Sequence, residues 1–425
     1  MSERHPIALV LSGGGARGAY EVGVVAGIVE ALKQSAGARG AFDIFTGTSV
    51  GAINASYLAA HADAHDLGIR GLIAQWTRLE LSKHLKLDPV GLVGVPKSLR
   101  WLLHRSTGPD TLSPHLGRAI LDPRALEAIV EKGIPWDRLR RNIENRVVHS
   151  LVVSALDVVG GRTTIFADHA PEIGLHASKD PRRVTRTDRI TAEHVLASAA
   201  IPLLFPARRI GHSYFCDGGL RFNTPISPAL RSGAEKIVVV SLLHGRPPAL
   251  QRPANDLAQY PSPIFLAGKV LNALLLDPVD YDLQVLERLN KLLEVLESTL
   301  SPTAYAKFTQ VLEEQRGARY RKVDSLVFRP SEDIGVMAGE YIASGRLEWH
   351  GTARLAGFAL RRAVKLGDSV ETDFGSFLLF DGAFARQLID LGRKDALNRA
   401  DEIRTFFANE RRTIPPPGPE PTSRL

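Results

Sequence analysis

"LVLSGGGARGAYEVGV", Leu9 to Val24, decides how the chain begins to fold. The apolar run "IALVLS" (Ile7 to Ser12) reads as a short strand buried on both faces. Glycines follow, and "GAYEVGVVAGIVEALKQS" then carries apolar residues at helical spacing. Strand, glycine turn and helix make one α/β unit whose turn has two readings. Gly13, Gly15 and Gly18 satisfy G-x-G-x-x-G, the fingerprint of a dinucleotide-binding turn. The same backbone could instead aim its N–H groups at an oxyanion formed during acyl transfer.

The next unit separates these readings. "AFDIFTGTSVGAINASYLAAHA" predicts a strand at Phe42–Thr46, a sharp turn and a helix of small residues from Val50. The turn "GTSVG", Gly47 to Gly51, is G-x-S-x-G. Such a serine sits on a tight strand-to-helix corner with its Oγ above the sheet edge. Gly47 and Gly51 let strand and helix approach, and the helix N-terminus offers N–H groups to a developing negative charge. A dinucleotide fold needs an acidic residue at the end of this strand to bind the ribose. Asp43 stands at its beginning, and Gly47–Thr48–Ser49 occupy its end. The nucleotide reading therefore lacks its second half.

Farther along, "HSLVVSALDVVGGRTTIFA" predicts two strands across Gly160–Gly161, "TAEHVLASAAI" a helix ending before Pro202, and "KIVVVSLL" another buried strand. The alternation predicts a three-layer α/β/α fold with a mainly parallel central sheet and a helical C-terminal extension. Residues 1–245 are expected to form the α/β domain. Residues 246–410 are expected to be a mostly helical region packed on it, returning a strand near 325–330, and 411–425 a disordered Pro-rich tail. Between Leu81 and Arg118, apolar residues are interleaved with Lys83, Lys86, Lys97, Arg100, Arg105 and Arg118. This pattern suits a cap or an interfacial element, and equally short packed helices with snorkelling cations.

Composition bounds the function. With 44% hydrophobic and 23% charged residues among 425, the chain is globular and not fibrous. A net charge of +7 suits anionic partners such as phospholipid headgroups, and equally a solvated basic surface. Nucleic acid is not expected, because the basic residues are dispersed and no recognised binding motif accompanies them. The single cysteine, Cys216, excludes an intramolecular disulfide. With an N-terminal apolar run too short for a signal peptide, it predicts a cytoplasmic protein. No C-x-x-C, H-E-x-x-H or EF-hand pattern occurs, so neither metal nor cofactor is expected. No sequence feature sets the oligomeric state.

Four motifs, "GGGARGAYEVGV", "GTSVGAINA", "ASAAIPLLFP" and "DGGLRFNTP", occur in this order. From about Ile7 to Leu243 the chain resembles the patatin-like phospholipases, a family of lipid acyl hydrolases. Ser325 to Leu397 is similar to the C-terminal part of some bacterial members. The resemblance implies a lipid substrate, Ser49 as nucleophile and Asp217 as its only partner in a Ser–Asp dyad. It also implies an oxyanion hole from the N–H groups of Gly13, Gly14 and Gly15, with Arg17 and Gly18 supporting the loop. Gly47 and Gly51 would frame the nucleophile. Peripheral membrane contact through 81–118 follows as a further expectation.

Elementary chemistry is compatible with these roles. A serine hydroxyl must lose its proton as it attacks an ester. A carboxylate, with a reference pKa of about 3.9, becomes a better base when burial disfavours its charge. Asp-Gly is also an ordinary hairpin signal, and His212, His194 and His169 are alternative bases. Arg17 fits a loop support, an anion contact or a structural ion pair, and "ASAAIPLLFP" reads as scaffolding. The expected activity is hydrolysis of phospholipid or lysophospholipid acyl esters through an acyl-serine. A general carboxylesterase or acyltransferase on the same site is an alternative, as is a catalytically silent regulatory binding protein.

Overall fold

A computed structural model describes residues 5–33, 41–81, 119, 121–171, 173, 176–202, 204–244, 278–316, 321–345 and 371–408. The basic–apolar stretch 82–118, the Pro-rich link after Leu243–His244 and the tail 411–425 lie outside the described residues. Among those described, no helix is long and apolar enough to cross a membrane.

The first strand, β1 (Ile7–Leu11), lies inside the sheet with all five residues buried. It runs parallel to β2 (Ile44–Thr48) on one side and to β8 (Lys236–Val240) on the other. The sheet continues from β2 to β3 (Ser150–Asp157), β4 (Thr163–His169) and β5 (Arg183–Thr187), and from β8 to β9 (Asp324–Phe328). Only β3–β4, β3–β7 and β6–β7 are antiparallel, where β6 is Arg208–Ile210 and β7 is Ser213–Asp217.

Strand alternation sorts β1 between two helical layers. Ile7, Leu9 and Leu11 enter the main core with α1 (Gly18–Lys33) and α2 (Val50–Ala60). Ala8 and Val10 face the opposite layer, where Ile226 of α7 (Ile226–Arg231) and Leu283 of α8 (Pro278–Thr299) cover them. The remaining helices of the chain's first half are α3 (His65–Thr77), α4 (Arg124–Gly133), α5 (Trp136–Glu144) and α6 (Ala192–Ser198). The architecture is the expected mainly parallel sheet between helices.

Helices α9 (Pro302–Arg316), α10 (Ile334–Ala343), α11 (Glu371–Leu378), α12 (Gly382–Leu397) and α13 (Ala400–Ala408) follow. Helix α12 lies directly along α1, because Gly23 and Gly27 of one and Gly392 of the other leave backbone against backbone. A side chain at Gly23 would strike the carbonyl of Ile389.

One local reading is corrected, and one strand is new. The strand expected at Phe42–Thr46 is displaced to Ile44–Thr48. Phe42 leaves the ladder to pack edge-on against Phe45 and Phe407, while Gly47 and Thr48 stay in it opposite Val153 and Ser154. Strand β5, "RVTRT", was hidden by its polarity. It is an edge strand whose Arg183 and Arg186 lie over the rings of Phe222 and Phe166.

Candidate active site

Ser49 occupies the corner between β2 and α2 with φ 56° and ψ −127°, a conformation that side-chain-bearing residues rarely adopt. The surroundings hold it there. Its carbonyl accepts from Ala52 N, and its own N–H donates to Ser198 Oγ at 2.9 Å. Ser198 in turn donates to the Ser154 carbonyl at 2.6 Å, tying the corner to β3. A Cβ at Gly47 would collide with the Gly51 carbonyl, and one at Gly51 would lie 2.6 Å from the Leu11 carbonyl. Those two glycines permit the corner to close.

Asp217 arrives from the middle of the sequence. It ends β7, whose register places it opposite Ala155 of β3, while Thr48 lies opposite the adjacent Ser154. Two strand pairings therefore bring residues 168 positions apart to a direct hydrogen bond, Ser49 Oγ donating to Asp217 Oδ2 at 2.6 Å. Oδ1 accepts the Gly219 N–H at 2.7 Å. Asp217 is fully buried and Ser49 is 3% exposed. Burial pushes the Asp217 carboxyl up to about 7, against the opposing pull of its bonds from Ser49 and Gly219.

The glycine loop lies beside this pair. Gly13 N–H is donated to the Asn223 carbonyl at 3.3 Å, and Asn223 Nδ2 returns a bond to the Gly13 carbonyl at 3.0 Å. Of the three expected donors, Gly13 is thus engaged. Gly14 and Gly15 open a short 3₁₀ turn (Gly15–Arg17) that does not use their N–H groups. Gly15 has φ 57° and faces the Phe377 carbonyl so closely that no side chain fits. Gly18 packs against Val50 at the start of α2.

A buried acid secures the loop from beneath. Glu21 Oε1 accepts the Ser12 N–H at 2.7 Å, and Oε2 accepts from Asn54 Nδ2 at 2.9 Å. Asn54 Oδ1 accepts from Trp76 Nε1 at 3.0 Å. Burial raises the Glu21 pKa to about 8, opposed by the bonds from Asn54 and Ser12. Arg17, 4% exposed, donates from Nε to Ser376 Oγ at 2.7 Å and lies 4.3 Å over the Phe377 ring.

Ser49 and Gly15 open onto a cavity of about 390 Å³. Its walls are largely apolar, with Leu72, Trp76, Leu126, Ile129, Leu378 and Phe380 among them. Arg78 and Lys132 also line it, and neither has a carboxylate partner among the described residues. The alternative bases lie elsewhere. His212 is exposed in the β6–β7 turn, His194 Nδ1 meets Thr191, and His169 Nδ1 meets the Ala170 carbonyl. The sequence reading passed over Ser198, Asn223, Glu21 and Asn54. All four sit inside the quoted motifs, and buried polar residues flanking a nucleophile corner are the available signal.

The sequence profile of the patatin-like phospholipases matches residues 9–230, more than half of the chain. The chain belongs to the patatin-like phospholipase family. Phospholipases are lipid ester hydrolases, and the matched span carries both strand–turn–helix units and Asp217 of this patatin-like protein. A "cGAMP-activated phospholipase" of Pseudomonas aeruginosa (strain BWHPSA011 / Pa011) is 29% identical over 222 residues. That alignment covers 51% of this chain and 53% of the relative, so the chain matches about half the relative's length. Among solved structures, VipD from Legionella pneumophila gives a TM-score of 0.30 at 14% identity, covering 91% of this chain and 67% of that one. Human GIVD cytosolic phospholipase A2 gives 0.34 at 12% identity, covering 95% and 59%.

Proposed function

We propose that the protein hydrolyses acyl esters of phospholipids or lysophospholipids through Ser49 and Asp217. The observation that carries this reading is the 2.6 Å bond between Ser49 Oγ and a fully buried Asp217, at the wall of an apolar cavity. As Oγ attacks the ester carbonyl carbon, Asp217 Oδ2 takes the hydroxyl proton. Negative charge gathers on the carbonyl oxygen, where the N–H groups of Gly14 and Gly15 receive it. Collapse expels the alcohol, which leaves with the proton from Asp217, and the acyl group stays on Ser49. Water then attacks the acyl-serine, Asp217 takes its proton, and the fatty acid departs as Oγ is reprotonated.

The apolar walls suit an acyl chain. Arg78 and Lys132, two cations without carboxylate partners among the described residues, suit a phosphate-bearing head over a neutral glyceride. We assign the chemistry to residues 1–245 and place the enzyme in the cytoplasm, meeting lipid peripherally through 81–118. Charge reversal at Lys97, Arg100 and Arg105 is expected to weaken binding to anionic liposomes.

A fluorophosphonate probe tests the central claim. Wild-type protein is expected to be labelled at Ser49, Ser49→Ala to be unlabelled, and Asp217→Asn to be labelled far more slowly. Folded wild-type protein that takes no label at Ser49 overturns the hydrolase reading. Lipid profiling with the same three proteins names the substrate. Preference for short soluble esters over phospholipid would instead make the protein a carboxylesterase.

A further inference from the structure

The matched family region ends at residue 230, yet part of the cavity wall comes from a segment about 150 residues later. From Ser376 to Gly382 the chain passes from the glycine loop to the end of α3. At its first end, the Phe377 carbonyl abuts Gly15, and Ser376 Oγ accepts from Arg17. At its last end, Gly382 N–H donates to the Leu79 carbonyl at 2.7 Å, and Asp381 accepts from Tyr341 Oη at 2.6 Å. Phe377 and Leu379 point into the core, at 1% and 3% exposure. Leu378 and Phe380 line the cavity instead.

The Phe380 ring is held in place. It stacks on Trp76 with centroids 6.2 Å apart and planes 18° from parallel. Trp76 is itself fixed by its bond to Asn54, in the network that also contains Glu21. A ring anchored at both its backbone and its face makes a stiff wall, and a stiff apolar wall discriminates between chains of different length or bulk.

We propose that Phe380, carried by this strap with Leu378 beside it, is the residue that sets which acyl chains the cavity admits. This rests on the cavity being the acyl site of the hydrolase proposed above. The consequence is that the C-terminal region supplies selectivity to a reaction whose reacting groups all lie before residue 220.

The test uses full-length protein and two independent readouts. Calorimetric affinities for saturated fatty acids from octanoate to stearate, kept monomeric, report the cavity without requiring turnover. Fluorophosphonate labelling of Ser49 reports the nucleophile. Phe380→Ala is expected to raise the affinity ratio of palmitate to octanoate by about 10-fold or more, as for methylene discrimination in apolar pockets. Phe380→Trp is expected to lower that ratio. Phe380→Leu replaces the alanine variant if that one does not fold. An unchanged chain-length order in both the smaller and the larger variant overturns the proposal. Shifted affinities without Ser49 labelling would strike the hydrolase reading and reduce Phe380's role to chain selection in a binding cavity. Labelling with unshifted affinities would strike Phe380's role and leave the hydrolase reading intact.

Discussion

The two strand–turn–helix units are built alike and differ in what their buried acids touch. In the first, β1 leads through the glycine loop to α1, and Glu21 lies beneath the turn. In the second, β2 leads through Ser49 to α2, and Asp217 lies beside the turn. Both carboxyls are fully buried, and burial raises both pKa values. Glu21 receives amide protons only, from Ser12 and Asn54, and neither proton can be transferred at ordinary pH. Asp217 receives one amide proton, from Gly219, and one hydroxyl proton, from Ser49. On the proposed reading, the same burial supports a scaffold in one turn and poises a proton transfer in the other. On that reading, what would distinguish a base from a brace is the donor.

The largest effect that would break this contrast is expected at Asp217. Asp217→Asn keeps an acceptor for Gly219 but presents no base to Ser49. Turnover of a phospholipid or activated ester is expected to fall by about 10²–10⁴-fold, with the melting temperature little lowered. Gly15→Ala comes next. A residue with a side chain at φ 57° costs about 1–2 kcal/mol, and its Cβ would collide with Phe377. The displaced donor is expected to reduce kcat by about 10²–10³-fold.

Acidity gives the third test. Asp217 must be ionised to accept the proton, so kcat/KM is expected to rise with pH and level off above about 7. Stability runs the other way. Because the folded pKa values of Asp217 and Glu21 lie above their ordinary ones, the native state holds protons that the unfolded chain has released. That stabilisation is full below about pH 4 and is lost as pH rises through about 7 to 8. Urea unfolding across this range should show a decline from these two groups, and Asp217→Asn should flatten part of it. The smallest effect is expected from Glu21→Gln. It retains one acceptor for Ser12 but sets an amide NH₂ against that of Asn54. A loss of about 1–3 kcal/mol of stability with only a severalfold fall in kcat would sharpen the distinction. A catalytic collapse on the scale of Asp217→Asn would erase it.

Much of this arrangement is legible in the sequence because local geometry demands particular residues. Gly47 is fixed by a backbone approach within its own turn and Gly51 by one to the end of β1, and the buried strands announce themselves as unbroken apolar runs. The β2 boundary was misplaced because Gly47 and Thr48 look like turn residues although the sheet holds them. Strand β5 stayed hidden because arginines over aromatic rings do not follow a polar–apolar alternation. Ser198 and Asn223 were visible as letters but not as partners, since their bonds span 149 and 210 positions. No periodicity encodes such distances. The contribution of Ser376–Phe380 was illegible for the same reason.

The clamp between Arg17 and Ser376, 359 positions apart, has a consequence for how the protein is made. Strand β1 is synthesised first but must wait for Lys236–Val240 before its second edge is paired. The glycine loop waits longer still, until Ser376 and Phe377 have left the ribosome. On the proposed reading, a nascent chain carries Ser49 early but has no braced receptor for the oxyanion until Ser376 and Phe377 have joined it. Topology of this kind would delay the proposed activity until the segment Ser376–Gly382 has been translated.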